Sequence, residues 1–395
     1  MEDLQFDVTI IGGGMVGLSL SLSLEACGFK VALIETKSLN THTPSETKKV
    51  TRRVSAINAA SEKLLEDLGV WQDIFINGLG VYREMKVWDA KSAARLEITA
   101  KEFSLDALGY IIENDLISYH LAKKLQTSAV SIFDAVKIDA MTEVDELWRI
   151  DLSSKVRLLS SLIIGADGAN SYTRDFFGFE FNSNTYQQSA LVGTIKLEKP
   201  HNDTAYQRFF PNGVLALLPL QDAHMASIVY SQNTNDANET CSLEKDFFEA
   251  KLQQDFDHLF GEIELVSKRQ IFPLLERHVK SYYQKGVTLV GDAAHTIHPL
   301  AGLGVNMGFQ DVVSLTRVLA QAKRKGRFIR SIDTLDEYQR CRKLDNEMML
   351  KSIKLIKVLF CNQNPVITLA RSVGVNAVNK TKWLKQFFVY QARGK

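Results

Sequence analysis

Apolar runs of two different periods divide this chain. FDVTII (6–11) is a short β-branched strand that stops at a glycine. LSLSLSL (18–24) then alternates strictly, which is the period of a half-buried strand. Gly28 nevertheless stands where a helix is closed by a left-handed residue, and KVALIE (30–35) supplies a further strand. The segment therefore reads as a helix between two strands. LIIG (162–165) and VTLVGD (287–292) are strands of the same kind, and GVNMGFQDVVSLTRVLA (304–320) reads as a helix entered through a glycine turn. Between them the pattern changes. SALVGTIKL, AYQRFF, GVLALLPL and MASIVYS, within 186–231, are short strand-like runs broken by Pro, Gly and Asn. They predict an antiparallel sheet, completed by EMKVW (84–88) and RLEIT (95–99). Phe210, Leu215, Leu217 and Tyr230 are candidates for its inner wall, with ordinary core as the alternative. Residues 242–260 read as one helix. Beyond Asp345, the residues Met349, Ile353, Ile356 and Phe360 recur at helical spacing.

These elements predict an α/β fold in three parts. A discontinuous Rossmann-like domain occupies 1–80, 104–185 and 274–345. An inserted antiparallel-sheet domain occupies 81–103 and 186–273, and a helical, basic tail follows over 346–395. A length of 395 residues, 45% hydrophobic and 24% charged, suits a folded chain of more than one ordinary domain.

Charge changes the picture at the tail. The net charge of +1 conceals 38 basic and 46 acidic groups before residue 348, followed by nine basic groups and no acidic one. A basic tail on an acidic body points to an anionic partner. Nucleic acid is disfavoured, because the basic groups are confined to that tail and no binding motif accompanies them. The four cysteines are far apart and form no C-x-x-C pair, which fits thiols in a reducing compartment. The acidic start MEDLQF predicts no secretory signal, and no apolar run is long enough to span a bilayer. A cytoplasmic location follows.

Three motifs carry chemistry. GGGMVG (12–17) fits G-x-G-x-x-G between a strand and a helix. Gly12 permits the tight turn, Gly14 lets backbone approach a pyrophosphate, and Gly17 lets the helix pack close to the strand. Glu35 ends the next strand, where an acid takes a ribose hydroxyl. Dinucleotide binding follows, without a choice between nicotinamide and flavin. The second motif is LIIGADGANSYTR (162–174), a strand ending in Asp167 and Gly168 with Arg174 beyond. The third is GDAAHTIHPLAGLGVNMGFQD (291–311). Its Asp292, His295, His298 and Asp311 would make a metal set. Its glycines suggest instead that backbone does the contacting.

In this order the three motifs resemble the aromatic-ring hydroxylases of the para-hydroxybenzoate hydroxylase type, which are single-component FAD monooxygenases. More narrowly, RVSAINAASEKLLEDLGVWQDI (53–74), GYIIEN (109–114) and GDAAHTIHPLAG (291–302) resemble the ubiquinone-biosynthesis hydroxylases, nearest to the VisC-like 2-polyprenylphenol hydroxylases. The resemblance covers most of 5–345 and fades in the tail. It implies FAD, with Gly12, Gly14, Gly17 and Glu35 on the ADP portion and Arg53 near the pyrophosphate or ribityl chain. Asp167 and Gly168 would lie near the crevice where flavin meets nicotinamide, and Asp292 on the ribityl hydroxyls. Pro299 would line the reactive face, and the turn of Gly302, Gly304, Val305 and Asn306 would contact the isoalloxazine ring. No metal is implied. Two positions depart from the pattern: Leu303 stands where many relatives have Gln, and Asn114 where related hydroxylases often have Arg.

The chemistry implied is hydroxylation of a polyprenylated phenol in ubiquinone biosynthesis. Reduced flavin and O2 would give a flavin hydroperoxide, with the N–H groups of the third motif's helix stabilising the ring's negative charge. NAD(P)H or a redox protein would be the reductant. His298 is the first candidate for a base and His295 the second, with structural roles as the alternative for both. KTKWLKQFFVYQARGK (380–395) mixes aromatics and lysines without acids, as suits an anionic membrane surface. That implies peripheral attachment at the inner membrane surface, with a ubiquinone-biosynthesis complex or homo-oligomer as further partners. A hydroxylase of a small soluble phenol, or a non-catalytic flavin carrier, are the alternatives.

Overall fold

The computed structural model describes residues 3–39, 53–296, 304–361 and 364–394. The chain begins with β1 (Asp3–Ile11), α1 (Met15–Ala26), β2 (Val31–Ile34), β3 (Val54–Ile57), α2 (Ala59–Asp67) and α3 (Trp71–Asn77). Next come β4 (Gly80–Tyr82), β5 (Glu84–Asp89), β6 (Arg95–Thr99), β7 (Gly109–Glu113) and α4 (Asn114–Leu125). Then follow β8 (Ser131–Phe133), β9 (Ile138–Val144), β10 (Leu147–Leu152), β11 (Arg157–Gly165) and α5 (Tyr172–Phe176). The middle holds β12 (Phe181–Leu197), β13 (Thr204–Phe210), β14 (Gly213–Pro219), β15 (Met225–Asn233), α6 (Thr234–Ser242) and α7 (Lys245–Asp255). After these run β16 (Ile263–Leu265), β17 (Gln270–Val279), β18 (Tyr283–Gln284), β19 (Val287–Leu289) and β20 (His295–Thr296). Four helices close the chain: α8 (Gly304–Arg324), α9 (Ile332–Cys361), α10 (Pro365–Lys380) and α11 (Lys382–Ala392).

A parallel sheet of order β19-β11-β1-β2-β8 forms the first layer, with an antiparallel ribbon of β10 and β9 on β11. Helices α1, α4 and α8 pack together beside it. This explains the alternation in α1. Leu18, Leu20, Leu22 and Leu24 are buried, but so are Ser19, Ser21 and Ser23. A helix covered all round has no solvent face to keep polar. Two of its serines are instead satisfied locally, Ser21 Oγ donating to the Gly17 carbonyl and Ser23 Oγ to the Ser19 carbonyl, each at 2.8 Å.

The second sheet runs β20-β17-β12-β15-β14-β13-β5-β6, with β16 on β12 and a small β3-β7-β4 sheet nearby. One face carries Leu191, Leu215, Leu217, Ile228 and Tyr230 against Phe248, Leu252 and Phe256 of the α7 region, forming a second core. Of the two readings of Phe210, Leu215, Leu217 and Tyr230, pocket wall or ordinary core, the structure gives core: Leu215, Leu217 and Tyr230 belong to it and Phe210 packs against it. Side chains alternate across a strand, so the wall facing away from α7 is built from their neighbours. One row of it runs by register through Phe272, Ala190, Ser231, Val214, Phe209 and Asp89.

Three further boundaries differ from the sequence reading. The helix expected over 242–260 is α7, shorter at both ends and running from Lys245 to Asp255, with Leu243 and Glu244 extended between it and the preceding α6. The segments 181–185 and 274–279, drawn with the first domain, are continuous with the second sheet. The tail boundary at 346 falls inside α9, which runs on for 30 residues. Beyond it, α10 covers the free edge of β6. Its Asn376 and Asn379 side chains accept from the backbone N–H groups of Arg95 and Glu97 at 3.2 and 3.0 Å.

Candidate active site

The first motif opens on a cavity of about 1340 Å³, above the ~300–1,000 Å³ usual for small-molecule sites. Gly12, Gly14, Glu35, Arg53, Asp167 and Gly168 all line it. The three motif glycines do different work there. Gly12 has φ +113°, outside the range of ordinary residues. A Cβ on Gly17 would sit 1.9 Å from the Gly12 carbonyl oxygen, so α1 can approach the turn only without one. A Cβ on Gly14 would meet nothing within 4 Å, and the same holds at Gly168. These two glycines face open space, as a cradle for a bound group requires. The first turn of α1 has no side-chain cap and no acidic residue, so its N–H groups are left for an anion.

Glu35 braces this turn. One carboxylate oxygen accepts from Gly13 N–H at 2.6 Å and the other from Lys37 N–H at 2.9 Å. Arg53 lies with its guanidinium 5.0 Å from the Phe272 ring, where the first motif's domain meets the second sheet. Asn114 holds Arg53's strand, donating its N–H to the Arg53 carbonyl at 2.8 Å and accepting from Ser55 Oγ at 2.7 Å.

The Asp-Gly motif is also built from within. Asp167 accepts from Ser171 Oγ and, at 2.8 and 3.0 Å, from the N–H and hydroxyl of Thr173. Buried Arg174 donates to the Ala169 carbonyl at 3.1 Å and lies 4.8 Å from the Phe181 ring. Arg174 thus fixes the loop that presents Gly168.

In the third motif, Asp292 follows β19 on a short 3-10 turn and is exposed. Surrounding protein pushes its carboxyl up from the ordinary value by desolvation, against the opposing charges of His295 and Arg53. Asp311 behaves differently. It is fully buried and accepts from Gly291 N–H at 3.0 Å, His295 Nε2 at 2.5 Å and Arg342 Nε at 2.8 Å. Burial alone would raise its carboxyl, but His295 and Arg342 hold it below the usual range. The network continues from Arg342 through Asn346 to Tyr282 and His278. Among the described residues no group of three His, Cys, Asp or Glu could hold a metal. His295 Nε2 is committed to Asp311, which leaves it a structural member of this network.

Gly304, Val305 and Asn306 form the first turn of α8, again with no acidic residue. The Asn306 side chain turns inward. Its Oδ1 accepts from Asn58 N–H at 3.1 Å and Ser61 Oγ at 2.7 Å, and its Nδ2 donates to the Ala56 carbonyl at 2.7 Å. Any contact of Asn306 with a ring therefore falls to its backbone. Gly17, Asp292 and this turn do not line the large cavity themselves. His298, Pro299 and Gly302 lie outside the described residues.

The sequence reading missed α4. Asp115, Ser118, Tyr119 and Ala122 line the cavity at spacings of three, four and seven residues. One helical face of NDLISYHLA was the available signal.

Residues 5–351 match the FAD binding domain family. The 3-demethoxyubiquinol 3-hydroxylase of Escherichia coli (strain K12) is 34% identical over 389 residues, covering 98% of each chain. The mitochondrial ubiquinone biosynthesis monooxygenase COQ6 of Homo sapiens is 33% identical over 436 residues, covering 97% of this chain and 92% of the human protein. Among solved structures, PqsL of Pseudomonas aeruginosa, a probable FAD-dependent monooxygenase, superposes with a TM-score of 0.79 at 21% identity, covering 94% of this chain and 100% of PqsL. The p-nitrophenol 4-monooxygenase PnpA of Pseudomonas putida DLL-E4 gives a TM-score of 0.80 at 17% identity, covering 99% and 98%.

Proposed function

This chain belongs to the FAD binding domain family as an FAD-dependent monooxygenase, and we propose that it hydroxylates the ring of a polyprenylated phenol on the route to ubiquinone. The observation that carries the FAD reading is the cradle of Gly14 and Gly168, where a Cβ would meet only open space on the wall of one large cavity. The 34% and 33% identical ubiquinone-pathway relatives support the substrate class.

Bound FAD would supply the oxygen chemistry: with two electrons from NAD(P)H or a redox protein, one atom of O2 would enter the ring and the other would leave as water. The protein's own part is positioning. The first-turn N–H groups of α1 take the pyrophosphate, and Glu35 holds the turn that presents them. Arg53 and Asp292 take the ribityl and phosphate region. The acid-free first turn of α8 stabilises the negative charge of the reduced ring through its N–H groups. Phe272, which packs on Arg53 where the second sheet meets the first domain, covers the reacting ring and keeps water out. His298 takes the phenol proton. Replacing His298 by Ala should lower product formation while flavin stays bound, and unchanged product formation would remove it from the mechanism.

Purified protein should carry FAD and consume O2 in step with hydroxylated product. Rapid O2 consumption without product would overturn the hydroxylase reading. Mass spectrometry of a deletion strain fixes the ring position. Accumulated 2-polyprenylphenol supports a VisC-like role, whereas a demethoxyubiquinol precursor supports the reaction in the Escherichia coli relative's name.

We also infer peripheral attachment to an anionic bilayer. Trp383, Phe387 and Tyr390 share one face of α11 and are 69%, 56% and 49% exposed. Leu369 and Val373 of α10 and Leu355 and Val358 of α9 are exposed as well. No helix among the described residues is long and apolar enough to cross a membrane. Aromatic side chains among lysines suit the headgroup boundary. A protein of a biosynthetic complex is the other occupant this face could take, and protein-free vesicles separate the two. The triple change Trp383→Ser, Phe387→Ser, Tyr390→Ser should abolish flotation with anionic vesicles. Equal flotation of variant and parent would sink the reading.

A further inference from the structure

We propose that Asn58 is a positioning residue that links the bilayer face of α11 to the flavin turn of α8, so that anionic-bilayer binding and FAD binding strengthen one another. The proposal rests on the bilayer attachment inferred above.

Asn58 makes three separate contacts. Its Oδ1 caps α2 by accepting from Ser61 N–H at 3.0 Å. Its Nδ2 donates to the Ala392 carbonyl at the end of α11, at 3.0 Å. Its backbone N–H donates to Asn306 Oδ1 at 3.1 Å, in the first turn of α8. One residue thus touches the last turn of α11 and the turn that would face the ring.

The end of α11 is fitted into this junction. The Arg393 carbonyl accepts from Ala60 N–H at 3.2 Å, satisfying a first-turn donor that α2 leaves open. Gly394 has φ +77°, and a Cβ there would lie 2.7 Å from Gln310 Nε2 and 2.8 Å from the Ala60 Cβ. Near its start, α11 is tied down again by buried Lys385, whose Nζ lies 3.2 Å from Glu102. The inner face of α11 is therefore anchored at both ends, while Trp383, Phe387 and Tyr390 point outward.

Seating those three side chains in a bilayer fixes the helix and holds its Ala392 end on Asn58. Asn58 in turn holds Asn306, whose side chain is buried and spans β3 and α2. The ordering of this junction is then already complete when FAD arrives, so FAD binds more tightly. Linkage requires the reverse with the same factor: FAD must tighten vesicle binding equally.

The test measures FAD affinity of the apoprotein by flavin fluorescence, with and without vesicles of mixed phosphatidylglycerol and phosphatidylcholine. Vesicle partitioning of apoprotein and holoprotein is measured alongside. Wild type should show a matched factor in both directions, roughly 5-fold or more, the lower end of typical coupling. Asn58→Ser keeps a side-chain cap for α2 but loses the amide donor to Ala392. It should still bind vesicles and melt as wild type, with the factor reduced to one. Vesicle binding with unchanged FAD affinity in wild type overturns the coupling and leaves the attachment reading intact. A full factor in Asn58→Ser overturns the role of Asn58. Failure of wild type to bind vesicles overturns the attachment reading and this proposal together.

Discussion

Arg371 of α10 sets its guanidinium 2.5 Å from the carboxylate of Asp89 at the end of β5, with both side chains buried. The pair closes the seam between the second sheet and the C-terminal helices. Arg371 also donates to the carbonyls of Leu359 and Phe360 at 2.8 and 3.0 Å, and Asp89 accepts from Ser92 Oγ at 2.6 Å. Removing one partner strands the other charge out of water. Arg371→Met should cost about 3–5 kcal/mol in urea unfolding. Adding Asp89→Asn should recover part of that loss, because the stranded charge is then gone. A cost under about 1 kcal/mol for Arg371→Met would mean that solvent reaches the pair.

The motif glycines separate folding from binding. Gly17→Ala puts a Cβ 1.9 Å from the Gly12 carbonyl oxygen and should prevent folding or lower the melting temperature sharply. Gly14→Ala meets no protein atom within 4 Å, so the apoprotein should melt as wild type. The added methyl does occupy the space kept for the pyrophosphate, and FAD affinity should fall at least ~10-fold, about 1.4 kcal/mol. Melting curves and FAD titration of both variants check the contrast. Normal FAD affinity in Gly14→Ala would move the pyrophosphate elsewhere.

These contrasts also show where the sequence was readable. The strand–glycine–helix–strand–Glu35 unit depends on neighbours along the chain, and α1 could be assigned despite its alternation because Gly28 and two strands frame it. The inner wall of the second sheet could not be assigned in this way. Leu215 and Leu217 are apolar, but so are buried Val214 and Ala216 on the opposite face. When both faces are covered, period two does not say which one looks at the site. Asp311 was opaque for another reason. Its carboxylate is balanced by Arg342, 31 residues away, and no local pattern joins them.

His278 gives a pH signature. Burial first, and then the neighbouring charges of His295 and Lys343, lower it from 6.5 to about 4, with Glu347 and Asp311 opposing. Between those values the unfolded chain binds a proton that the folded chain refuses. Stability from this group is therefore complete above pH ~6.5 and is lost as pH falls towards 4. Carboxylates add their own acid dependence, so the useful quantity is a difference. His278→Gln keeps a side chain able to bond the Tyr282 hydroxyl and does not titrate. The stability of wild type relative to this variant should fall steadily from pH 7 to pH 4. A constant difference across that range would show that His278 titrates normally.

Asp311 joins the turn of Asp292 to α8 and α9 through Gly291, His295 and Arg342. Asp311→Asn has nearly the same shape but leaves the buried guanidinium of Arg342 without its counter-charge. One amide oxygen must also replace acceptors that two carboxylate oxygens supplied. The apoprotein should lose about 3–5 kcal/mol. A ligand that binds only the folded state returns stability according to its affinity, about 2.7 kcal/mol at 100 times its dissociation constant. If Asp311 merely supports the fold, FAD will stabilise variant and wild type by the same amount. If it also sets the angle between Asp292 and the first turn of α8, FAD will bind the variant more weakly and return less. We expect the smaller return, read as a reduced rise in melting temperature on adding FAD. An equal rise in both proteins would confine Asp311 to the fold and leave the geometry of the flavin site to other residues.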